Sequence, residues 1–185
     1  VIVLGIFNDP KEPVRYQRVP LDHRFDDSPE MNEMLETYQN ELRDTKLDGL
    51  GITGVKNPNG KFVGSAACGD CHTTAMEIFE STPHSHATET LVKLDPQRHF
   101  DPECLSCHAT GWNPQKYFPY ASGFLGLEST PHLTANGCEN CHGPGKAHVD
   151  AESGETDVTE EEAERLRAAM RLKIVENEGN KDGQE

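Results

Sequence analysis

Apolar residues are in short supply in this chain. Only 34% of its 185 residues are apolar and 6% aromatic, with one tryptophan, against roughly 45–50% apolar in an ordinary soluble domain. A core made of side chains alone would be thin. No run of about 18 apolar residues occurs, so no segment reads as a membrane-spanning helix. Positive charge is scarce too: 17 Lys and Arg face 32 Asp and Glu, for a formal net charge of −15. Such a surface repels nucleic acid and anionic membrane, and its natural complement is a basic patch on a protein partner.

Cysteine is absent from most of the chain, and all six cysteines fall in three copies of one pattern. These are Cys68-Gly69-Asp70-Cys71-His72, Cys104-Leu105-Ser106-Cys107-His108 and Cys138-Glu139-Asn140-Cys141-His142. Paired cysteines also serve zinc sites, redox dithiols and disulfides, but none of these requires a histidine directly after every pair. The C-x-x-C-H spacing lets two thiols add to the two vinyl groups of one haem while the histidine binds the iron. The triple repeat therefore predicts three haem c groups, attached through Cys68, Cys71, Cys104, Cys107, Cys138 and Cys141, with His72, His108 and His142 as proximal iron ligands. Three large apolar macrocycles would also supply the core that the side chains lack.

The fold class expected is mainly α with little regular structure, the polypeptide wrapping three covalently held haems. Four segments are distinguished. Residues 1–48 open on an apolar run, 1–7, that reads as a strand buried on both faces. A helix follows over 28–43, with Ser28 as N-cap, Pro29 in the first turn and an apolar stripe of Met31, Met34, Leu35, Tyr38 and Leu42. Residues 49–63 read as a linker containing the turn Asn57-Pro58-Asn59-Gly60. Residues 64–150 form the three-haem domain. In 151–185, a capping box of Thr159 and Glu162 opens a helix to about residue 175 with a stripe of Leu166, Met170 and Ile174. The charged tail, 176–185, is expected to fray.

The motif region, about residues 64–150, resembles the cytochrome c-554 family. The resemblance runs through Cys68-Gly69-Asp70-Cys71-His72, then Phe79-Glu80-Ser81-Thr82-Pro83-His84-Ser85-His86-Ala87, then Asp101-Pro102-Glu103 ahead of the second motif, then Gly137 and the third motif with Gly143-Pro144-Gly145. It implies electron transfer, closely stacked haem pairs and, in nitrifying bacteria, electrons taken from hydroxylamine oxidoreductase. That family carries four haems, and a fourth motif is missing here. It also implies distal ligands: His84, twelve residues after His72, for the haem of His142, and His148 for the haem of His72. The family leaves its second haem five-coordinate. Here His132, just ahead of the third motif, is the candidate sixth ligand for the haem of His108, with His86 and His99 as runners-up better suited to hydrogen bonding. His23 reads as a surface residue and Met76 as packing. Gly143-Pro144-Gly145 reads as the turn leading to His148, and Trp112, Tyr117, Phe118 and Tyr120 as packing against porphyrin.

Residues 15–25 and the helix with Tyr38-Gln39 resemble the C-terminal edge of a calcineurin-like metallophosphoesterase domain. None of that family's D-x-H or G-N-H metal motifs is present, so no phosphoesterase activity is assigned. Covalent haem attachment implies a periplasmic or equivalent extracytoplasmic compartment and a leader removed or lying upstream. The leading expectation is a periplasmic-type electron carrier rather than an enzyme, with mostly bis-histidine ligation and low potentials. One alternative is a redox enzyme acting on nitric oxide, nitrite or hydroxylamine at a five-coordinate second haem. Another is a redox module of a larger phosphoesterase-like fusion. Among partners, a second copy of the chain or a longer parent chain is also expected.

Overall fold

A computed structural model describes residues 1–172, which fall into two units divided after Tyr38. The first unit opens with β1 (Ile2–Ile6) and β2 (Val14–Arg18), an antiparallel hairpin in which Ile2 pairs with Arg18 and Ile6 with Val14. The apolar run thus forms the expected strand, but not a buried one: Leu4 is 67% and Ile6 87% exposed. A two-stranded ribbon leaves both faces open unless a second layer covers them. Its sheet partner is β2, and the Arg15 guanidinium lies 5.1 Å over the Phe7 ring.

Helix α1 (Pro29–Gly49) begins where its cap predicts. The Ser28 hydroxyl accepts from the Met31 amide at 3.4 Å and donates to Glu30 at 2.7 Å. The helix outruns residue 43 and is interrupted at Lys46, whose φ is 59°. The predicted stripe is buried only at Leu42, while Met31, Met34 and Tyr38 are exposed. The second buried position is a polar one. Gln39, in the second unit, donates its side-chain amide to the buried Asp101 at 2.8 Å, and a hydrogen bond decides burial there where apolar periodicity does not.

The rest of the second unit is a sequence of short helices joined by turns. They are α2 (Ser65–Gly69), α3 (Thr73–Glu80), α4 (Ala87–Val92), α5 (Pro102–His108), α6 (Cys138–His142), α7 (Lys146–Glu152) and α8 (Glu160–Ala169). Single 3₁₀ turns occupy Pro83–His86 and Pro131–Leu133. A small hairpin of β3 (Trp112–Asn113) and β4 (Phe118–Pro119) lies between α5 and α6. The architecture is mostly helical with little regular structure, as expected.

A small side-chain core exists nonetheless: Phe62, Leu91, Leu105, Ala109, Trp112, Phe124 and Leu133. It gathers Phe62 from the lead-in to the first motif, Leu105 of the second motif with Cys104 packed against it, and Leu133 from the segment before the third. Residues 49–63, read as a linker, are bonded into this unit. Val55 bridges to Tyr120, Ala121 donates to the Val55 carbonyl at 2.8 Å, and Asn57 and Phe62 are buried.

Helix α8 opens on the N-cap half of the expected capping box, the Thr159 hydroxyl accepting from the Glu162 amide at 3.2 Å, while the Glu162 carboxylate turns to Arg165 at 2.8 Å. It ends at Ala169, short of residue 175. The carbonyl of Met170 points instead to the His142 ring, which donates to it at 2.7 Å. Ile174 and the tail 176–185 lie outside the described residues. Arg167 ties α8 to α7 through Glu152 at 2.7 Å. Among the described residues no helix is long and apolar enough to cross a membrane.

Candidate haem-binding site

Each motif sits on a short helix whose ends are set by local chemistry. Asp101 caps α5 by accepting from the Glu103 amide at 3.0 Å, and Pro102 takes the first helical position, where its missing N–H costs nothing. This delivers Cys104, Cys107 and His108 along one turn and a half. In the third motif, Gly137 precedes α6 in a tight place: a Cβ there would lie 2.5 Å from the Thr110 hydroxyl and 2.6 Å from that of Ser65. Gly143 ends the helix with φ 85°, a conformation that favours glycine, and releases the chain just after His142.

Two of the motif histidines are oriented by a backbone carbonyl. His108 Nδ1 lies 2.8 Å from the Ala87 oxygen, and His142 Nδ1 lies 2.7 Å from the Met170 oxygen. An imidazole whose Nδ1–H is held in this way keeps Nε2 free with its lone pair outward, the tautomer a metal ligand needs. The third, His72, faces His148: their ring centres are 6.4 Å apart and their planes 25° from parallel. Two imidazoles on opposite sides of one metal, each about 2 Å from it, have ring centres roughly 6 Å apart. The separation of the His72 and His148 rings matches that spacing. His148 Nδ1 is buried without a hydrogen-bond partner, 3.9 Å from a Glu152 oxygen. The Glu152 carboxyl is held below its ordinary range, first by the Arg167 hydrogen bond and, more weakly, by the nearby His148 and His72.

The remaining histidines are spread around the motifs. The carbonyl of His84 accepts from the Asn136 amide at 3.0 Å, which pins its turn to the entry of α6. His132 is exposed, and its carbonyl crowds Gly64 at the head of α2, where a Cβ would lie 2.5 Å away. The next residue, Leu133, accepts from the Thr110 amide at 2.9 Å, so this turn lies between the first and second motifs. His86 pairs with Glu89 at 3.1 Å on the surface, and His23 is exposed in the first unit. Met76 packs under α2, within 2.9 Å of where a Cβ on Gly69 would be.

His99 is partly buried, with Nδ1 unpartnered and its ring edge against Phe100. Burial pushes its pKa below the ordinary 6.5. The folded state thus prefers the neutral ring, so this contribution to stability is present above the unfolded value and is lost as pH falls from there through the lowered folded value. Thermal melts of His99→Phe are expected to fall less steeply than wild type below about pH 6.5, and parallel pH profiles would remove His99 as a contributor.

Among the described residues no disulfide joins the six cysteines: Cys71, Cys107 and Cys141 are exposed, and Cys68, Cys104 and Cys138 are half-buried. Burial pushes Cys68 up to about 11, with further contributions from Cys138 and Glu139, which places the first cysteines of motifs one and three side by side. Cys104 is likewise pushed up to about 11, mainly by burial and then by Asp101. Among the described residues no three His, Cys, Asp or Glu side chains gather as a metal centre.

Several residues that bind the motifs to one another were invisible in the sequence pattern. The Asn140 side chain donates to the Ala109 carbonyl at 3.0 Å and accepts from the Gly111 amide at 3.2 Å, joining motif three to the exit of motif two. The Thr88 hydroxyl donates to the His108 carbonyl and accepts from the Ala135 amide at 2.7 Å. Thr110 does the same for the Ala135 carbonyl at 3.0 Å and the Gly137 amide at 3.2 Å. Trp112, expected against porphyrin, is buried in the side-chain core and donates its indole N–H to the Phe124 carbonyl at 2.8 Å. Tyr117 is exposed, while Tyr120 stacks on Phe62 with ring centres 5.7 Å apart.

Comparison with known proteins points to the same segment. The family described as "Cytochrome c554 and c-prime" matches residues 67–143. The cytochrome c-554 of Nitrosomonas europaea is 33% identical over 98 residues, covering 46% of this chain and 39% of that protein. The chain thus spans about two-fifths of the length of the curated relative it matches. No solved structure gives a significant match. The segment that bears the motifs resembles the cytochrome c-554 family, a likeness that supports covalently bound c-type haem and a part in electron transfer.

Proposed function

We propose that this protein is an extracytoplasmic electron carrier holding three c-type haems, one on each C-x-x-C-H motif. The observation that carries this reading is the pairing of His72 with His148, two parallel rings at a separation that suits one iron between them. Bound haem supplies the one-electron chemistry. The chain supplies thioether anchors at Cys68 and Cys71, Cys104 and Cys107, and Cys138 and Cys141. His72, His108 and His142 are the proximal ligands, two of them already fixed by carbonyls in the tautomer that leaves Nε2 free.

Distal ligation is assigned to His148 for the haem of His72 and to His84 for that of His142. The bond from Asn136 to the His84 carbonyl, two residues ahead of Cys138, supports the second assignment. Side chains on both faces of an iron leave no position for a substrate, and the absence of an axial methionine favours low potentials. His132 is the remaining candidate for the haem of His108. Redox partners would meet a strongly acidic surface, so a basic docking patch on the partner is its complement.

A second reading follows from where His132 lies. Its backbone and ring edge lie against Gly64, at the head of the first motif's helix. If His132 serves that side, the iron of His108 keeps an open position for nitric oxide, nitrite or hydroxylamine. Electron paramagnetic resonance of the fully oxidised protein, with and without cyanide, separates the two. Low-spin signals unchanged by cyanide are the expected result. A high-spin signal abolished by cyanide would replace the carrier with the enzyme.

A further inference from the structure

Glu139 is an acidic residue at 2% exposure in a chain otherwise covered with exposed carboxylates. Its side chain is held by three backbone amides. Val63 N lies 3.0 Å from both oxygens, Gly64 N 2.7 Å from Oε2 and Gly145 N 2.7 Å from Oε1. Val63 and Gly64 lead directly into α2 and the first motif. Gly145 closes the turn after the third motif and starts the helix that carries His148. One carboxylate thus fixes the first motif, the third motif and the approach of His148 at once.

The partners are N–H dipoles, which hold a carboxylate without cancelling its charge as a cation would. Cys138 is the neighbour of Glu139 in the chain, and the Cys138 amide donates to the Ser65 hydroxyl at 3.1 Å, three residues ahead of Cys68. A fixed negative charge in a poorly solvated place makes the arrival of an electron nearby more costly.

We propose that Glu139 is a positioning residue for the haems on motifs one and three, and that its buried charge lowers their reduction potentials. This rests on the haem assignment proposed above. The test is a spectroelectrochemical titration of the haem-loaded protein as wild type, Glu139→Gln and Glu139→Asp, with thermal melts and intact mass on the same samples.

Glu139→Gln keeps the size of the side chain and removes its charge. It is expected to shift two of three midpoints upward and leave the third near its native value. Glu139→Asp keeps the charge but shortens the reach, so it is expected to melt at a lower temperature with midpoints close to native. Unchanged midpoints in Glu139→Gln would overturn the proposal, as would equal upward shifts in both variants. If Glu139→Gln does not accumulate, the uncharged Glu139→Asn, read against Glu139→Asp of the same length, decides by the same criteria. Failure of both to load haem would reduce Glu139 to a structural staple and overturn its role in setting potentials. Intact mass keeps the two levels apart: a wild type without haem on motif one or motif three defeats the haem assignment, whatever Glu139 does.

Discussion

Alanine in place of both Cys68 and Cys71 is expected to yield a protein with two haems instead of three, and the pair Cys104 and Cys107 should do the same. Each thioether pair is the covalent hold on one macrocycle, so intact mass under denaturing conditions should fall by one haem per motif removed. The pair Cys138 and Cys141 should cost more. Glu139 and Asn140 lie between those two cysteines. They carry the bonds to Val63, Gly64 and Gly145 on one side and to Ala109 and Gly111 on the other. Each such bond is worth about 1 kcal/mol net, with bonds to a charged group nearer 1.5–3. Once the turn holding them is no longer clamped to its haem, the registration of motifs one and two against it weakens as well. The expected result is loss of the third haem together with a lower melting temperature and partial loss of the first haem. A protein that keeps three haems after either of the first two replacements would show that the motif concerned is not an attachment site.

The site was more legible in the sequence than the packing around it. Six cysteines in three identical spacings leave few chemical readings, because attachment is local and needs only the residues of one turn. The caps of α1, α5 and α8 are local in the same sense: Ser28, Asp101 and Thr159 each bond an amide two or three residues on. What failed depended on residues far apart in the chain. The strand at residues 2–6 is exposed because burial needs a second layer, which no apolar run can promise by itself. The stripe on α1 gave way to Gln39, whose partner Asp101 lies 62 positions away. Nothing in the sequence pattern marked Glu139 as buried, since acidic residues are almost always outside, or Val63, Gly64 and Gly145 as its partners. Glycine was the one available signal. Two of its three partners are glycines, the residue type that lets a side chain reach an amide at close range.

Replacing His148 by alanine is expected to convert one haem from low spin to high spin without removing any haem from the protein. The centre of the His148 ring lies 6.4 Å from that of His72 and its Nδ1 lies 3.9 Å from a Glu152 oxygen, so Nε2 is the nitrogen proposed to meet the iron. Without it, the iron of the first haem keeps His72 and gains an open position, so cyanide or added imidazole should bind there and restore a low-spin spectrum. His84→Ala should give the same change at the haem of His142, and the two effects should add in the double variant if each histidine serves its own iron. His86→Ala serves as the control, because His86 is exposed and pairs with Glu89. An unchanged spectrum in His148→Ala would show that the two parallel rings meet for packing alone. It would also take away the observation on which the carrier reading rests. A high-spin haem that imidazole restores would instead mean that residues 76 positions apart close on one iron. The chain between His72 and His148, which contains the other two motifs, would then be a loop shut by its own cofactor. Such a closure limits the freedom of the unfolded chain as a cross-link does, and helps explain how so few apolar residues hold a fold.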